Sequence, residues 1–136
     1  MDFKNIHIGK MIQIKVTEKE IEISRICNFF NCKEEDVYKM YIVKSLDTEL
    51  LLKWSKLLEY DFFRIYCQHL ILYAPPAAES KRIKSKLPQF RKNIYTREII
   101  DYIIEQINIG AMTKIEVTKY YRIPKTTLYK WIDKYK

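Results

Sequence analysis

The sequence predicts an all-α protein: two small helix-turn-helix bundles joined by a basic linker. Three observations carry that expectation. Only two glycines occur in 136 residues, and hairpin turns, β-bulges and phosphate-cradling loops all draw on glycine for positive φ. Apolar side chains make up 48% of the chain, enough for a packed core and too much for wholesale disorder. These side chains recur at three- and four-residue spacing in both halves, the period of amphipathic helices rather than strands.

Taken in order, Ile6, Ile8, Met11, Ile12 and Val16 predict a first helix over residues 6–19. Ile23, Ile26, Cys27 and Phe30 share one face of a short second helix over 23–30. Asn31-Cys32 supplies a tight turn, and Lys33-Glu34-Glu35-Asp36 opens a third helix reaching Tyr41; acids in a first turn suit the helix dipole. Asp47 caps a fourth helix bearing Leu50, Leu51, Trp54, Leu57 and Leu58, and Asp61 caps a fifth over 62–73. That fifth segment is more apolar than one buried face requires. Phe62, Phe63, Tyr66, Leu70 and Tyr73 therefore either complete the small core or form a dimer or partner surface.

Pro75 and Pro76 end any helix arriving from residue 73. Residues 74–92 read as a linker in which Lys81, Arg82, Lys84, Lys86, Arg91 and Lys92 face Glu79 alone. Residues 1–73 balance 11 basic against 11 acidic side chains, so the whole net charge of +8 lies in the second half. Such an arm is either a solubilising charge run or a backbone-tracking segment that binds phosphates by releasing counterions.

Residues 93–136 predict three more helices. Thr96 caps the first, whose Ile99, Ile100, Ile103, Ile104 and Ile107 form a core-facing stripe, and Gly110 closes it in a left-handed cap. Thr113 caps residues 114–121, Arg122-Ile123-Pro124 turns the chain, and Pro124 takes the first position of a last helix through Lys134. Leu128, Trp131 and Ile132 should pack on Val117, Tyr121 and the isoleucine stripe. Lys125, Thr126, Thr127, Tyr129 and Lys130 then project outward, with Lys114 and Arg122 near them. These residue types suit a DNA major groove: Lys for phosphate or guanine, Thr for phosphate or the thymine methyl, Tyr for phosphate.

The segment from Ile6 to Leu58, with its opening Ile8-Gly9-Lys10, the pair Ser24–Phe30 and Glu34–Tyr41, and the closing Ser45-Leu46-Asp47-Thr48-Glu49-Leu50-Leu51, resembles the Cro/lambda-repressor-like helix-turn-helix family. That resemblance implies a recognition helix at Glu34, Glu35, Tyr38 and Lys39, where the family carries Gln, Ser, Thr, Asn or Arg instead of carboxylates. The segment Thr113-Lys114-Ile115-Glu116-Val117-Thr118-Lys119-Tyr120-Tyr121-Arg122-Ile123-Pro124-Lys125-Thr126-Thr127-Leu128-Tyr129-Lys130-Trp131 is similar to the DNA-binding helix-turn-helix of insertion-sequence transposases, a match that extends over about Tyr95–Tyr135. Arg122 departs from it, standing where glycine is common, so the turn must avoid a left-handed residue or bear some strain. The whole chain resembles small bacterial helix-turn-helix proteins common in Bacteroidetes, which implies a regulatory or mobile-element-associated DNA-binding role.

Other chemistry finds little purchase. Cys27, Cys32 and Cys67 form no CxxC, and His7 and His69 are the only histidines, so no zinc-ligand spacing arises and no cofactor is expected. The thiols read as small buried hydrophobes in a reducing cytosol. The opening MDFKNIHIGK is no signal peptide, and the longest apolar runs fall far short of a membrane span. No sheet that could hold a two-metal acidic triad is expected, and no Arg/His/Arg constellation accompanies the 11 tyrosines. The expectation is a non-catalytic, cytoplasmic, nucleoid-associated protein that binds double-stranded DNA and regulates transcription. The alternative is a non-catalytic adaptor, or the DNA-targeting subunit of a transposase assembly, whose N-terminal half binds a protein partner or forms a homodimer.

Overall fold

The computed structural model describes residues 1–75, 84–90 and 95–135, and among these the chain is all-α, with eight helices and no strand. Contacts divide it into two compact units, Asp2–Tyr66 and Cys67–Lys136.

The first unit holds α1 (Ile8–Glu18), α2 (Ile23–Phe30), α3 (Glu34–Ile42), α4 (Thr48–Leu58) and the opening of α5 (Phe63–Tyr73). Ile8, Ile12, Ile26, Val37, Trp54 and Leu58 are fully buried, one or two from each of α1 to α4. The Trp54 indole N–H donates to the Met40 sulfur at 3.4 Å, so burying that polar atom leaves it partnered. Capping follows the sequence at α4, where Asp47 Oδ1 accepts from Leu50 N–H at 2.8 Å, and at α5, where Asp61 Oδ1 accepts from Phe63 N–H at 3.1 Å. At α1 the cap is less expected: His7 Nδ1 accepts from Lys10 N–H at 3.1 Å.

Gly9 sets the spacing of this unit. The N–H groups of Ile8 and Gly9, unpaired within their own helix, donate to Lys44 and Val43 carbonyls just beyond α3 at 2.9 and 3.1 Å. A β-carbon on Gly9 would stand 2.6 Å from the Met40 and Val43 carbonyl oxygens and would overlap that of Tyr41. Only glycine lets the two helix ends meet.

Three helices of this unit stop without glycine. Glu20, Asn31 and Glu59 take φ of 53°, 51° and 50°, and the next residue in each case bonds back five positions: Ile21 to Val16, Cys32 to Cys27, Tyr60 to Ser55. This is the left-handed helix stop usually given to glycine, and each Cβ costs about 1 kcal/mol there.

The second unit takes up the rest of α5 with α6 (Arg97–Asn108), α7 (Lys114–Tyr121) and α8 (Lys125–Tyr135). Ile99, Ile103, Val117 and Leu128 are fully buried, with Ile100, Ile104, Tyr121 and Ile123 close behind. Thr96 Oγ1 accepts from Ile99 N–H and donates to Oε1 of Gln68, a buried residue of α5. One hydroxyl thus caps α6 and satisfies a buried amide oxygen. Gly110 takes φ 78° after α6, as its position predicts. Thr113 and Glu116 form a reciprocal capping box at α7, with distances of 3.2 and 2.7 Å.

Several expectations need correction. Phe62 is 1% exposed and packs edge-on to Tyr60 at 4.9 Å, so it is core and presents no partner surface. Cys67 is exposed, and Cys27 and Cys32 are only half-buried, Cys32 because it lies in the turn between α2 and α3 rather than on a helix face. Pro124 precedes α8 instead of opening it, and its carbonyl accepts the helix's first hydrogen bond, from Leu128 N–H at 3.1 Å.

Candidate nucleic-acid interface

Arg122 makes the turn between α7 and α8 by adopting the left-handed region itself, φ 57° and ψ 37°. Of the two options open to a residue in glycine's place, the chain takes the strained one. Ile123, 2% exposed, pins the turn to the core, and Leu128 at 0% pins α8 one turn in. With those two anchored, Lys125, Thr126, Tyr129 and Lys130 emerge exposed, while Thr127 is half-buried and turned partly inward.

The two helices bring their first residues together. Lys114 opens α7 and Lys125 opens α8, and their ammonium nitrogens lie 5.2 and 5.6 Å from the centroid of the Tyr129 ring. Both are within cation–π range. The first turn of α8 contains no acidic residue. That of α7 contains only Glu116, whose Oε2 is engaged by the Thr113 N–H. Two helix N-termini and two lysines therefore add positive potential around one exposed phenol, an arrangement that attracts anions.

Arg122 stands elsewhere, lining with Met112, Glu116, Lys119 and Tyr120 an open depression of about 690 Å³. In the linker, Lys84 and Lys86 are exposed; Lys81, Arg82, Arg91 and Lys92 lie outside the described residues. Leu87 and Phe90, 74% and 92% exposed, place two apolar side chains in this charged run, outside the set of residues that the sequence marks.

In the first unit, Glu34, Glu35, Tyr38 and Lys39 are all exposed along α3. Asp36 Oδ2 accepts from Lys33 N–H at 3.1 Å, so that acid works as a helix cap. Ile42, 76% exposed, extends this surface beyond the predicted set. Of the predicted partner residues on α5, Leu70 is 56% exposed, and Phe63, Tyr66 and Tyr73 are half-buried.

Two aromatic contacts of the second unit had no sequence signal, since they join residues far apart in the chain. Tyr95 meets Trp131 edge-on at 5.0 Å, and the Arg97 guanidinium lies 3.9 Å over the Tyr135 ring while also bonding Asp101 at 2.9 Å. Arg97 is thereby taken out of the free basic surface. Burial, with Tyr102 and Tyr120 adding to it, pushes the Tyr121 phenol up to about 12. Among the described residues no group of three or more His, Cys, Asp or Glu side chains could hold a metal ion, and no helix is long and apolar enough to cross a membrane.

No protein-family model, curated protein or solved structure matches the chain.

Proposed function

We propose that the chain is a non-catalytic, sequence-specific double-stranded DNA-binding protein that regulates transcription, with α8 lying in the major groove. The convergence of Lys114 and Lys125 on Tyr129 carries this reading. A lysine at a helix N-terminus opposes the macrodipole at a cost of about 0.3–1 kcal/mol, and a DNA phosphate removes that opposition. Thr126 and Lys130, exposed on the same helix, supply thymine-methyl and guanine or phosphate contacts. The basic linker follows adjacent phosphates or the neighbouring minor groove.

The test is selection of bound duplexes from a random pool by the full chain, followed by titration across salt. Affinity should fall steeply with ionic strength. The Lys125→Ala/Lys130→Ala double variant should lose about 10- to 100-fold and flatten the salt slope by about two units. Wild-type affinity in that variant overturns the assignment.

A second reading concerns the first unit. Exposed Glu34 and Glu35 repel phosphates, and Tyr38 and Ile42 add apolar surface beside them. This favours a protein partner or a second copy over DNA for α3. Sedimentation of the full chain checks the homodimer: association weakened by Tyr38→Ala and Ile42→Ala supports it, and a concentrated monomer removes it.

A further inference from the structure

We propose that Cys27 and Cys32 are a thiol pair that closes to an intrachain disulfide on exposure to a low-molecular-weight disulfide, stapling the turn between α2 and α3. Asn31 turns the chain back in the left-handed region, and Cys32 N–H donates to Cys27 C=O at 3.1 Å. In this kind of helix stop, the side chains at the two bonded positions meet in an apolar contact. The same backbone bond joins the corresponding positions at the other stops, Ile21 to Val16 after α1 and Tyr60 to Ser55 after α4. After α2 both positions are cysteine, and both are half-buried. The Cys32 thiol is held above its usual value first by burial, then by the neighbouring Cys27 thiol and the Asp36 carboxylate. The two sulfurs are therefore neighbours in the folded chain. Cys67, exposed on α5, has no such neighbour at a helix stop and is removed in the test below.

With oxidised glutathione the chemistry balances. One protein thiolate attacks the glutathione disulfide, forming a mixed disulfide and expelling a glutathione thiolate. The second protein thiolate then attacks the protein-side sulfur, forming the Cys27–Cys32 bond and expelling the other glutathione. Two protein thiols are oxidised, one glutathione disulfide is reduced to two thiols, and the protons from the protein end on those thiols. The reduced chain holds the α2 stop by backbone hydrogen bonds from Asn31 and Cys32 to Cys27 C=O; the oxidised chain adds a covalent link.

The experiment uses the full chain carrying Cys67→Ser, incubated with oxidised glutathione at about pH 8.5, where thiolates are populated. Mass and maleimide labelling should show both thiols lost together, a mass lower by two hydrogens, and a link between Cys27 and Cys32. Because a disulfide that fits the native geometry favours the native state, the unfolding midpoint should rise by several degrees. Adding Cys27→Ser or Cys32→Ser should leave the reaction at the mixed disulfide. Stable glutathione adducts in the parent chain overturn the proposal. So does a disulfide that forms but lowers the midpoint, since the thiols would then have left their native positions to meet.

Discussion

α2 and α7 are each eight residues long, and each ends on a non-glycine residue in the left-handed region, Asn31 at φ 51° and Arg122 at φ 57°. Three residues then separate each from its successor, α3 or α8. The burial register matches as well: the fourth residue of all four helices, Ile26, Val37, Val117 and Leu128, is 0% exposed. The difference lies in the first turn of the second helix, which carries Glu34, Glu35 and Asp36 in α3 and Lys125 with two threonines in α8. Acids there complement the helix dipole, so α3 is electrostatically content alone, whereas α8 keeps an unneutralised positive end. A shared backbone plan thus says little about what a helix-turn-helix contacts; the charge in that one turn says much more.

The comparison breaks most severely at Gly9, because α3, unlike α8, is met at its end by another helix, α1, through a glycine. Gly9→Ala should destabilise the first unit by about 3 kcal/mol, since backbone carbonyls rather than pliant side chains meet the new methyl. Thermal unfolding would register this as an early transition; an unchanged midpoint would mean the helices have room to part. Exchanging charge probes the difference itself. Lys125→Glu should lower duplex affinity about 100-fold, by placing a carboxylate against phosphate, yet leave the fold as stable or slightly more so. Equal losses of affinity and stability would show that Lys125 is structural.

High pH tests a likeness instead. Burial raises the phenols of Tyr41 in α3 and Tyr121 in α7, the latter to about 12. In the unfolded chain these titrate near 10. Below that value both states are protonated and stability is unaffected. As pH rises from there to the folded value, stability should fall by about 1–2 kcal/mol and then level off, because between the two values only the unfolded phenol has released its proton. Tyr121→Phe should remove part of that loss, read from denaturant midpoints at successive pH values. Smaller effects come from the left-handed stops: Glu59→Gly and Arg122→Gly should each stabilise by about 0.5–1 kcal/mol. Arg122→Gly also reports, through DNA affinity, whether that guanidinium takes part. Ser55→Ala should be the mildest, stabilising by less than about 1 kcal/mol, because the buried Ser55 hydroxyl has no hydrogen-bond partner among the described residues.

Most of the helical framework is legible in the sequence because its signals are local. Asp47, Asp61, Thr96 and Thr113 mark helix starts, and the isoleucine stripe of α6 marks a buried face. What escaped depends on residues brought together from a distance. Phe62 looks like surplus apolar surface until the fold buries it, and Lys114 acquires its place beside Tyr129 only when α7 and α8 cross. The left-handed turn at Arg122 was legible as a conflict but not in its resolution. Arginine has no local preference for that region, so tertiary anchoring by Ile123 and Leu128 decides it.

The end-to-end meeting of α1 with the residues after α3 also bears on the order in which the first unit assembles. The bonds from Ile8 and Gly9 to Lys44 and Val43 join the start of the unit to its middle, so they form only after the intervening chain is in place. A contact across that much chain carries a loop-closure entropy that local helix turns do not, so it is rewarded only once the non-local packing is in place. During synthesis α1 emerges before α3, and its opening N–H groups stay bonded to water until Lys44 clears the ribosome. Hydrogen exchange at Ile8 and Gly9 therefore offers a late clock for folding of this unit, while the amides inside α2 and α4 offer early ones.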